Sequence, residues 1–301
     1  MSYDRIGVVS LEKLLLGWLW FEMGGEILEI LRERRIILKR GEGQRFLIDE
    51  RVAERMLEYA AVSGEDVVLE IGAGIGNLTK KLEERAAKVY AVEKDKRLCE
   101  ILRERCKSAE IIEGDVLRVD LPPFNKVIAN LPFHLSSPIT LNLLLFHDFD
   151  IAVLTYQREF AEKMVASPDM RVGKKKIYGR LSVIVQTLSD VEILEIVPRS
   201  VFFPKPSVDA AIVRLKPKDV PELPTIAEKS YFCSVVGMAF SRRRRKLKNI
   251  PAFKHVFFGE KQESAKMDED DKWLRSIADL RPDALKPSDF VRLSVAMMRR
   301  R

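Results

Sequence analysis

The stretch VVLEIGAGIGNLTKKL, residues 67–82, decides the expected fold of this chain. Its first five residues are mostly β-branched or apolar and predict a buried strand, and residues 78–85 predict a helix. Between them, Gly72, Gly74 and Gly76 let the backbone turn sharply and approach a ligand closely. Their spacing is one residue shorter than the dinucleotide fingerprint. No phosphate-binding lysine follows them, which argues against a nucleoside triphosphatase.

Downstream of this turn, short β-branched runs alternate with helical segments. The predicted strands are Val89–Val92, Glu110–Glu113, Lys126–Ala129 and Ile151–Tyr156, and the predicted helices are Lys96–Lys107, Pro138–Leu145 and Glu159–Ala166. Such alternation predicts an α/β fold with a mostly parallel sheet that helices cover on both faces. Two later apolar runs, Val191–Ile196 and Ala210–Leu215, flank a proline-rich loop, and we expect them to pair as an antiparallel edge of the sheet.

The segments on either side of the expected sheet differ from it in pattern. Residues 24–38 have helical apolar spacing and a basic face, and glycines at positions 41 and 43 interrupt that pattern. Asp49 stands where it can cap a further helix that runs to Ala60. After the sheet, prolines at positions 217, 221 and 224 indicate a linker. The remainder has helical spacing and few strand signals.

We therefore expect three parts along the chain. They are a helical, basic N-terminal extension over residues 1–40, the α/β domain over residues 41–218 and a smaller helical C-terminal domain over residues 225–301. The length of 301 residues, 47% of them hydrophobic, is enough for a sizeable core. The net charge of +7 is modest, so the placement of the basic residues matters more than their excess.

Several classes of protein are disfavoured by composition. The apolar run at residues 14–21 is too short to span a bilayer, and it lacks the basic start and the cleavage site of a signal peptide. Two interpretations of this run stay open: a buried or partner-packed helix, or a chain whose true start is Met23. Cys99, Cys106 and Cys233 form neither a metal-binding spacing nor a disulfide framework. We therefore expect a cytoplasmic protein without a metal site.

Two acidic residues follow the next two predicted strands. Glu93 ends the second strand, where a carboxylate can accept both hydroxyls of a ribose. Asp115, followed by Val116, comes after the third strand and can accept from the amino group of a cofactor's adenine. Either acid alone is more simply a solvated carboxylate. Because the glycine turn and both acids fall at the carboxyl ends of successive strands, they predict a nucleoside-cofactor site, with a dinucleotide enzyme as the alternative.

The fourth predicted strand ends in the motif Asn130-Leu131-Pro132-Phe133, which disfavours that alternative. An adenine amine is a poor nucleophile, because its lone pair is delocalised into the ring. The side-chain carbonyl of Asn130 and the backbone carbonyl of Leu131 can each accept one N–H and favour a pyramidal nitrogen. Phe133 can stack on a flipped base. For the motif in isolation, an ordinary Asx turn with Phe133 in the core is an equally good interpretation, but its place after the fourth strand favours catalysis.

The basic residues are clustered, as expected of a protein that contacts phosphates. The densest cluster is SRRRRKLK at residues 241–248, whose candidate RNA-binding residues are Arg242, Arg243, Arg244, Arg245, Lys246 and Lys248. A second cluster comprises Arg171, Lys174, Lys175, Lys176 and Arg180, and a third comprises Arg32, Arg34, Arg35, Lys39 and Arg40. For the third cluster, a solvated helix face is an equally good interpretation.

From about Gly41 to its end, the chain resembles the ribosomal RNA adenine dimethyltransferases, and most of all their archaeal and eukaryotic branch. The matching motifs are GQRFLID at 43–49, VLEIGAGIGNLT at 68–79, NLPFHLSSP at 130–138, YGRLSV at 178–183, VFFPKPSVD at 201–209 and the segment 239–248. The resemblance implies a Rossmann-like methyltransferase sheet and S-adenosylmethionine as cofactor. It implies that the cofactor is bound by Gln44, Arg45, Leu47, Gly72, Gly74, Glu93, Asp115, Val116 and Asn130.

The resemblance also implies a substrate, namely two adjacent adenines in a hairpin near the 3′ end of small-subunit ribosomal RNA, each receiving two methyl groups. The partner would be the assembling small subunit, the enzyme a monomer, and Phe202 would lie opposite Phe133 across the target base. Two positions depart from the family pattern: Phe133 replaces a tyrosine, and Arg45 replaces an asparagine or histidine. These departures leave open an assembly factor with weak or lost methylation. A resistance-type methyltransferase of large-subunit RNA is a third hypothesis.

Overall fold

The computed structural model describes residues 25–38, 44–258 and 269–300. The apolar run at residues 14–21, the alternative start at Met23 and the glycines at positions 41 and 43 lie outside the described residues. So do two members of the third basic cluster, Lys39 and Arg40. Within the described ranges, no helix is both long enough and apolar enough to cross a membrane.

The centre of the fold is a seven-stranded sheet, with two short strand pairs beside it in the described part of the chain. The strands are β1 (Phe46–Leu47), β2 (Val67–Ile71), β3 (Lys88–Glu93), β4 (Glu110–Glu113), β5 (Lys126–Asn130), β6 (Ile151–Gln157), β7 (Arg171–Val172), β8 (Lys175–Lys176), β9 (Ser189–Val197), β10 (Phe202–Phe203) and β11 (Ala210–Pro217). The order across the large sheet is β4-β3-β2-β5-β6-β11-β9, and β1 pairs with β10 and β7 with β8.

Helices follow most of the parallel strands, as the alternation predicts. They are α1 (residues 25–33), α2 (Glu50–Tyr59), α3 (Asn77–Glu83), α4 (Lys96–Arg105), α5 (Ser136–Phe146), α6 (Arg158–Met164), α7 (Arg180–Leu188), α8 (Ile226–Ser241), α9 (Lys254–Phe258), α10 (Glu269–Ile277) and α11 (Pro287–Arg299). The predicted cap is confirmed, because the Asp49 carboxylate accepts the backbone N–H of Arg51 at 3.0 Å at the start of α2.

The sheet is covered on both faces, which explains why its central strands are apolar on consecutive residues. In β2, Leu69 packs into one hydrophobic cluster and its neighbour Val68 into another. In β5, Val127 and Ile128 divide between the same two clusters. The predicted α/β architecture is therefore confirmed, and the parallel strands β2 to β6 bring their carboxyl ends to one edge of the sheet.

The predicted antiparallel pair forms, but only one of its members is an edge strand. β11 pairs antiparallel with β6 on one side and with β9 on the other, so β9 alone lies at this edge. Burial on both sides explains the continuous apolar run at the start of β11. β9 instead alternates charged and apolar residues, as an edge strand exposed on one side does.

The N-terminal helix is shorter than the sequence predicts. Helix α1 ends at residue 33, and residues 36–38 are not helical. The cause is Arg35, whose φ of 51° places it in the left-handed region. The N–H of Ile36 then bonds back to the carbonyl of Leu31 at 2.8 Å, which closes the last turn of the helix. Glycine usually occupies the left-handed position that follows a helix. Because an arginine stands there, the sequence gave no signal that the helix ends at residue 33.

The C-terminal helices share a hydrophobic core with the helical layer of the sheet. The Tyr178 hydroxyl donates to the carbonyl of Leu285 at 2.8 Å, and the rings of Phe240 and Phe290 lie 5.6 Å apart. One cluster contains Leu69 of β2 together with Phe232 of α8 and Phe290 of α11. The predicted helical character of this part is confirmed, and the division into separate domains stays a prediction.

Candidate active site

The glycine turn requires glycine for both conformation and space. Gly72, Gly74 and Gly76 all have positive φ angles, at 74°, 61° and 91°. A Cβ added at Gly74 would lie 2.9 Å from the ring of Phe46, so a side chain there would force that ring to shift. The turn is tied to the sheet because the N–H of Gly72 donates to the Val92 carbonyl at 2.8 Å. Its backbone thus forms an open floor at the carboxyl end of β2.

The carboxylate of Glu93 is fixed at the end of β3 by three backbone N–H groups. Lys94 and Asp95 each donate to Oε1 at 2.8 Å, and Gly74 donates to Oε2 at 2.9 Å. Burial raises the pKa of the Glu93 carboxyl, and the three hydrogen bonds oppose that rise. A carboxylate has about four lone-pair sites, so these three bonds leave one of them, on Oε2, free for a hydroxyl of a ligand.

The carboxylate of Asp115 lies at the carboxyl end of the neighbouring strand. The backbone N–H of Leu117 donates to Oδ1 at 3.1 Å, and the ammonium of Lys94 lies 3.3 Å from Oδ2. The Leu117 hydrogen bond, aided by Lys94, holds the pKa of Asp115 below its usual range. Asp115 is therefore a charged acceptor, which suits an exocyclic amine.

A third carboxylate, that of Glu70, lies at the same edge and is buried. The Thr79 hydroxyl donates to its Oε2 at 2.6 Å. Desolvation raises the pKa of Glu70 to about 8, against the lowering effect of that hydrogen bond. In the sequence, Glu70 stands out only as part of the glycine motif. The feature that could have identified it is an acidic residue inside an otherwise apolar strand.

These groups line a cavity of about 350 Å³ at the carboxyl edge of the sheet. The cavity wall includes every residue predicted to bind the cofactor: Gln44, Arg45, Leu47, Gly72, Gly74, Glu93, Asp115, Val116 and Asn130. Of the predicted catalytic residues, only Asn130 is among the lining residues of this cavity. His134 also lines it, next to the Asn-Leu-Pro-Phe motif.

The carboxamide of Asn130 is oriented by two hydrogen bonds. Its Nδ2 donates to the backbone carbonyl of Arg45 at 2.6 Å, and its Oδ1 accepts from the Thr155 hydroxyl at 2.7 Å. Because a carbonyl can only accept, the contact with Arg45 fixes which end of the carboxamide carries the NH₂ group. Thr155 is the direct neighbour of Asn130 across the β5–β6 ladder. One lone pair of Oδ1 stays available.

The two predicted stacking residues lie in one hydrophobic cluster but differ in exposure. Phe133 is half-buried and packs on the cluster that contains Phe202, whereas Phe202 itself is completely buried. Leu47, the direct partner of Phe202 in the β1–β10 pair, packs in the same cluster. The ring of Phe202 therefore presents no free face in this conformation, and its role opposite Phe133 stays a prediction. Leu131 is also buried, behind Asn130.

Comparison with known proteins agrees with this geometry. The family model described as ribosomal RNA adenine dimethylase matches residues 38–272, most of the chain. The chain belongs to the ribosomal RNA adenine dimethylase family. It is therefore an S-adenosylmethionine-dependent ribosomal RNA adenine dimethyltransferase, as the resemblance implies.

Individual relatives support the same family. A probable ribosomal RNA small subunit methyltransferase A of Thermococcus onnurineus is 49% identical over 204 residues, 67% of this chain and 71% of the relative. The corresponding protein of Methanopyrus kandleri is 46% identical over 229 residues, 74% and 80% of the two chains.

Among solved structures, a dimethyladenosine transferase from Plasmodium falciparum superposes with a TM-score of 0.67 at 30% identity, covering 83% of this chain and 96% of that one. The 23S rRNA methyltransferase ErmE superposes with a TM-score of 0.55 at 28% identity, covering 84% and 99%. Both covered ranges extend beyond the sheet, which confirms the Rossmann-like methyltransferase architecture with its helical C-terminal part.

The cavity of this dimethylase fits S-adenosylmethionine. The free lone pair on Oε2 of Glu93 suits a ribose hydroxyl, and Asp115 beside Val116 suits the adenine amine. Gly72 is required by its φ of 74° rather than by space, because an added Cβ would make only an ordinary contact with the ring of Pro132, at 3.7 Å. Apolar residues such as Ile75 and Leu98 form another part of the wall.

The structure divides the predicted RNA-binding run of the dimethylase into two groups. Arg242, Arg244 and Arg245 are exposed, and no ion pair to them occurs among the described residues. The other three are already paired: Arg243 lies 3.6 Å from Asp283, and Lys246 and Lys248 lie 2.6 and 3.0 Å from Asp279. Arg242, Arg244 and Arg245 are thus the cations of this run that are available to a phosphate.

The remaining sequence expectations concern metal ligands and thiols. All three cysteines are free and buried, as expected from their spacing. Among the described residues, no cluster of histidine, cysteine and acidic side chains has the geometry to hold a metal ion. The Sγ of Cys99 donates to the Glu93 carbonyl at 3.3 Å and so helps to hold the end of β3.

Proposed function

We propose that this dimethyltransferase modifies the N6 amines of two adjacent adenines in a hairpin near the 3′ end of small-subunit ribosomal RNA. The observation that carries the proposal is the fixed carboxamide of Asn130, with one free lone pair at the edge of the cofactor cavity. Support for the small subunit comes from the archaeal relatives, which are named as probable small-subunit methyltransferases.

Positioning of the amine is the main task of the residues around Asn130. An amine N–H donated to Oδ1 of Asn130 and another to the backbone carbonyl of Leu131 draw the nitrogen toward a pyramidal shape, so that its lone pair faces the cavity. S-adenosylmethionine, when bound, supplies the electrophilic methyl group there. This geometry requires no strong base, and catalysis is a matter of orientation and electrostatics. Phe133 holds the base by stacking, which a phenylalanine does as well as a tyrosine.

The RNA backbone is expected to bind a continuous basic surface that joins two of the sequence clusters. Arg243 donates to the carbonyl of Lys176 at 3.4 Å, and Asp283 lies within 3.6 Å of both side chains. These contacts hold the β7–β8 hairpin, with its exposed Arg171, Lys174 and Lys175, against the run at 242–245. Phosphate contacts of this kind position RNA without reading its sequence.

We propose in addition that the enzyme acts as a cytoplasmic monomer on an assembling small subunit. Support for both the monomer and the particle comes from the resemblance to the family, which implies them.

The experiment is to incubate the protein with labelled S-adenosylmethionine and, in parallel reactions, with unmethylated small subunits and with large subunits, and to map the labelled nucleotides. We expect label on two adjacent adenines near the RNA 3′ end, and its loss in Asn130→Ala. If label appears only on large-subunit RNA, the proposed substrate is wrong. If the protein binds the particle and transfers no methyl group, the protein is an assembly factor instead, and Phe133→Tyr is the next variant to assay.

A further inference from the structure

The two positions at which this chain departs from its family pattern are in contact with each other. The guanidinium carbon of Arg45 lies 4.8 Å from the centre of the Phe133 ring. The pair is located next to Asn130, whose Nδ2 bonds to the Arg45 carbonyl.

The backbone at Arg45 is held on both sides, so only its side chain is free to move. The preceding Gln44 donates from Nε2 to Asp95 at 3.1 Å, and the following Phe46 pairs with Phe203 in the β1–β10 ladder. The Asn130 contact is made to the backbone carbonyl of Arg45 and does not depend on the side chain. A movement of the guanidinium therefore leaves the carboxamide of Asn130 in place.

The guanidinium of Arg45 has no acidic partner among the residues that the structure describes. Partial burial lowers its pKa, and no carboxylate opposes this effect. The cation–π contact with Phe133 is the one specific side-chain interaction that the described residues give it. Such a contact is weak where solvent reaches it, so an anionic group of a ligand competes for the guanidinium easily.

The place of Arg45 conflicts with stacking of a base on Phe133. One side of the Phe133 ring packs on the hydrophobic cluster of Phe202, and Arg45 covers a face of the ring. An adenine that stacks on that face has to displace the guanidinium. The displaced group then lies between the cofactor cavity, which Arg45 also lines, and the nucleotide that has entered, so the RNA phosphates are among the anions that it can reach.

We propose that Arg45 is a positioning residue that covers the Phe133 ring before RNA binds and pairs with a phosphate next to the target adenine when the base takes its place. This inference rests on the proposed stacking of the base on Phe133. The exchange replaces a cation–π contact with base stacking and a charge-assisted hydrogen bond, and both new contacts form only with a correctly inserted nucleotide. Arg45 thereby couples insertion of the base to binding of the RNA phosphate next to that base.

The test uses small-subunit RNA hairpins in which one phosphate flanking the target adenine is an uncharged methylphosphonate. With the wild-type protein, we expect the substitution at one flanking phosphate to weaken binding by roughly three- to tenfold, the loss of one charged contact. Arg45→Ala is expected to bind the natural hairpin as weakly and to be insensitive to the methylphosphonate. Arg45→Lys keeps the charge and is expected to recover part of the sensitivity.

The thermal unfolding temperature of Arg45→Ala shows whether the variant is folded. Because Arg45 also lines the cofactor cavity, the affinity of Arg45→Ala for S-adenosylmethionine is measured beside its RNA affinity. Equal sensitivity of wild type and Arg45→Ala to methylphosphonates at both flanking phosphates overturns the inference. So does a loss of cofactor affinity in Arg45→Ala without any change in RNA binding. If the wild type methylates no adenine even in whole small subunits, the proposed function fails, and this inference fails with it.

Discussion

The two sides of the cofactor cavity are held by hydrogen bonds whose partners lie at different distances along the sequence. On the cofactor side, Glu93 is fixed by the N–H groups of the next two residues and of the adjacent glycine turn, and Asp115 by the N–H of Leu117. On the base side, Asn130 is fixed by partners 85 and 25 residues away, Arg45 and Thr155. The cofactor side is thus assembled locally at strand ends, whereas the base side depends on the tertiary fold.

This difference predicts that substitutions on the two sides separate cofactor binding from methyl transfer. A change at Glu93 should act on the affinity for S-adenosylmethionine, and a change at Asn130 or Thr155 on the rate. A change on the basic surface should affect neither, and should act on RNA binding alone.

The largest effect is expected for Glu93→Ala, which removes the charged acceptor for a ribose hydroxyl. One hydrogen bond to a charged acceptor, about 1.5–3 kcal/mol, corresponds to a loss of cofactor affinity of roughly 10- to 150-fold. Isothermal titration with S-adenosylmethionine measures it. Glu113→Ala is the matched control, because Glu113 is the neighbour of Glu93 across the β3–β4 ladder and does not line the cavity. Equal losses of cofactor affinity in Glu93→Ala and Glu113→Ala would show that the effect is a general disturbance of the sheet.

The next effect is expected on the basic surface, in the triple variant Arg242→Ala, Arg244→Ala, Arg245→Ala. Affinity falls with salt, and loss of three phosphate contacts should make the slope of log affinity against log salt concentration less steep by roughly two to three. Filter binding to small-subunit RNA at several salt concentrations measures the slope. The double variant Lys246→Ala, Lys248→Ala is the control, since Asp279 already pairs with both lysines. A larger change in the control would place the RNA contact at the lysines instead.

A smaller effect concerns the stability of the folded protein and Glu70. Burial raises the pKa of Glu70 from 4.5 to about 8, so between these values the folded chain keeps a proton that the unfolded chain has released. Stability therefore falls as the pH rises through this window, with a slope from this group of up to ~1.4 kcal/mol per pH unit. Above pH 8 the contribution no longer changes.

Glu70→Gln should remove that contribution, because a neutral amide occupies the site at every pH. Urea unfolding of the wild type and the variant between pH 5.5 and about 8 measures the difference in slope. The exposed Glu113→Gln serves as control. If the free energy of unfolding changes with pH in the same way in the wild type and in Glu70→Gln, the assignment of a protonated Glu70 is wrong.

The smallest effect is expected for Thr155→Val, which removes the hydroxyl that orients Asn130 Oδ1. Loss of one neutral hydrogen bond, about 1 kcal/mol, should lower the single-turnover rate by roughly fivefold without changing cofactor affinity. Thr155→Ser should restore the rate. Thr140→Val is the matched control, because the Thr140 hydroxyl is equally buried and bonds to Tyr156 instead. A normal rate in Thr155→Val would mean that the Arg45 carbonyl alone orients Asn130.

The same difference in range explains how much the sequence could predict. Glu93 and Asp115 were found because the carboxyl ends of neighbouring parallel strands meet at one edge, so strand prediction alone brings them together. Asn130 was found in the same way, at the end of β5. Of the backbone N–H groups that donate to Glu93 and Asp115, those of Lys94, Asp95 and Leu117 lie within two residues of their acceptor, and that of Gly74 lies 19 residues from Glu93.

Contacts that depend on tertiary pairing could not be predicted. Thr155 became part of the site only through its register with Asn130, and Arg45 reached Phe133 only because β1 pairs with β10. The sequence also gave no sign that Asp279 and Asp283 pair with half of the basic run. The complete burial of Phe202, next to Leu47 of β1, has the same origin. Resemblance to a family identifies such residues but not their contacts.

The most direct test of the account is the single-turnover rate of Asn130→Ala, measured with S-adenosylmethionine and RNA both saturating. We expect a loss of about 100-fold or more, as for removal of a group that acts on the transition state, with both dissociation constants within a few-fold of the wild type. Asn142→Ala, outside the cavity, should be normal. If raising the cofactor concentration restores the rate of Asn130→Ala, Asn130 acts in cofactor binding only, and the account of the base side is wrong.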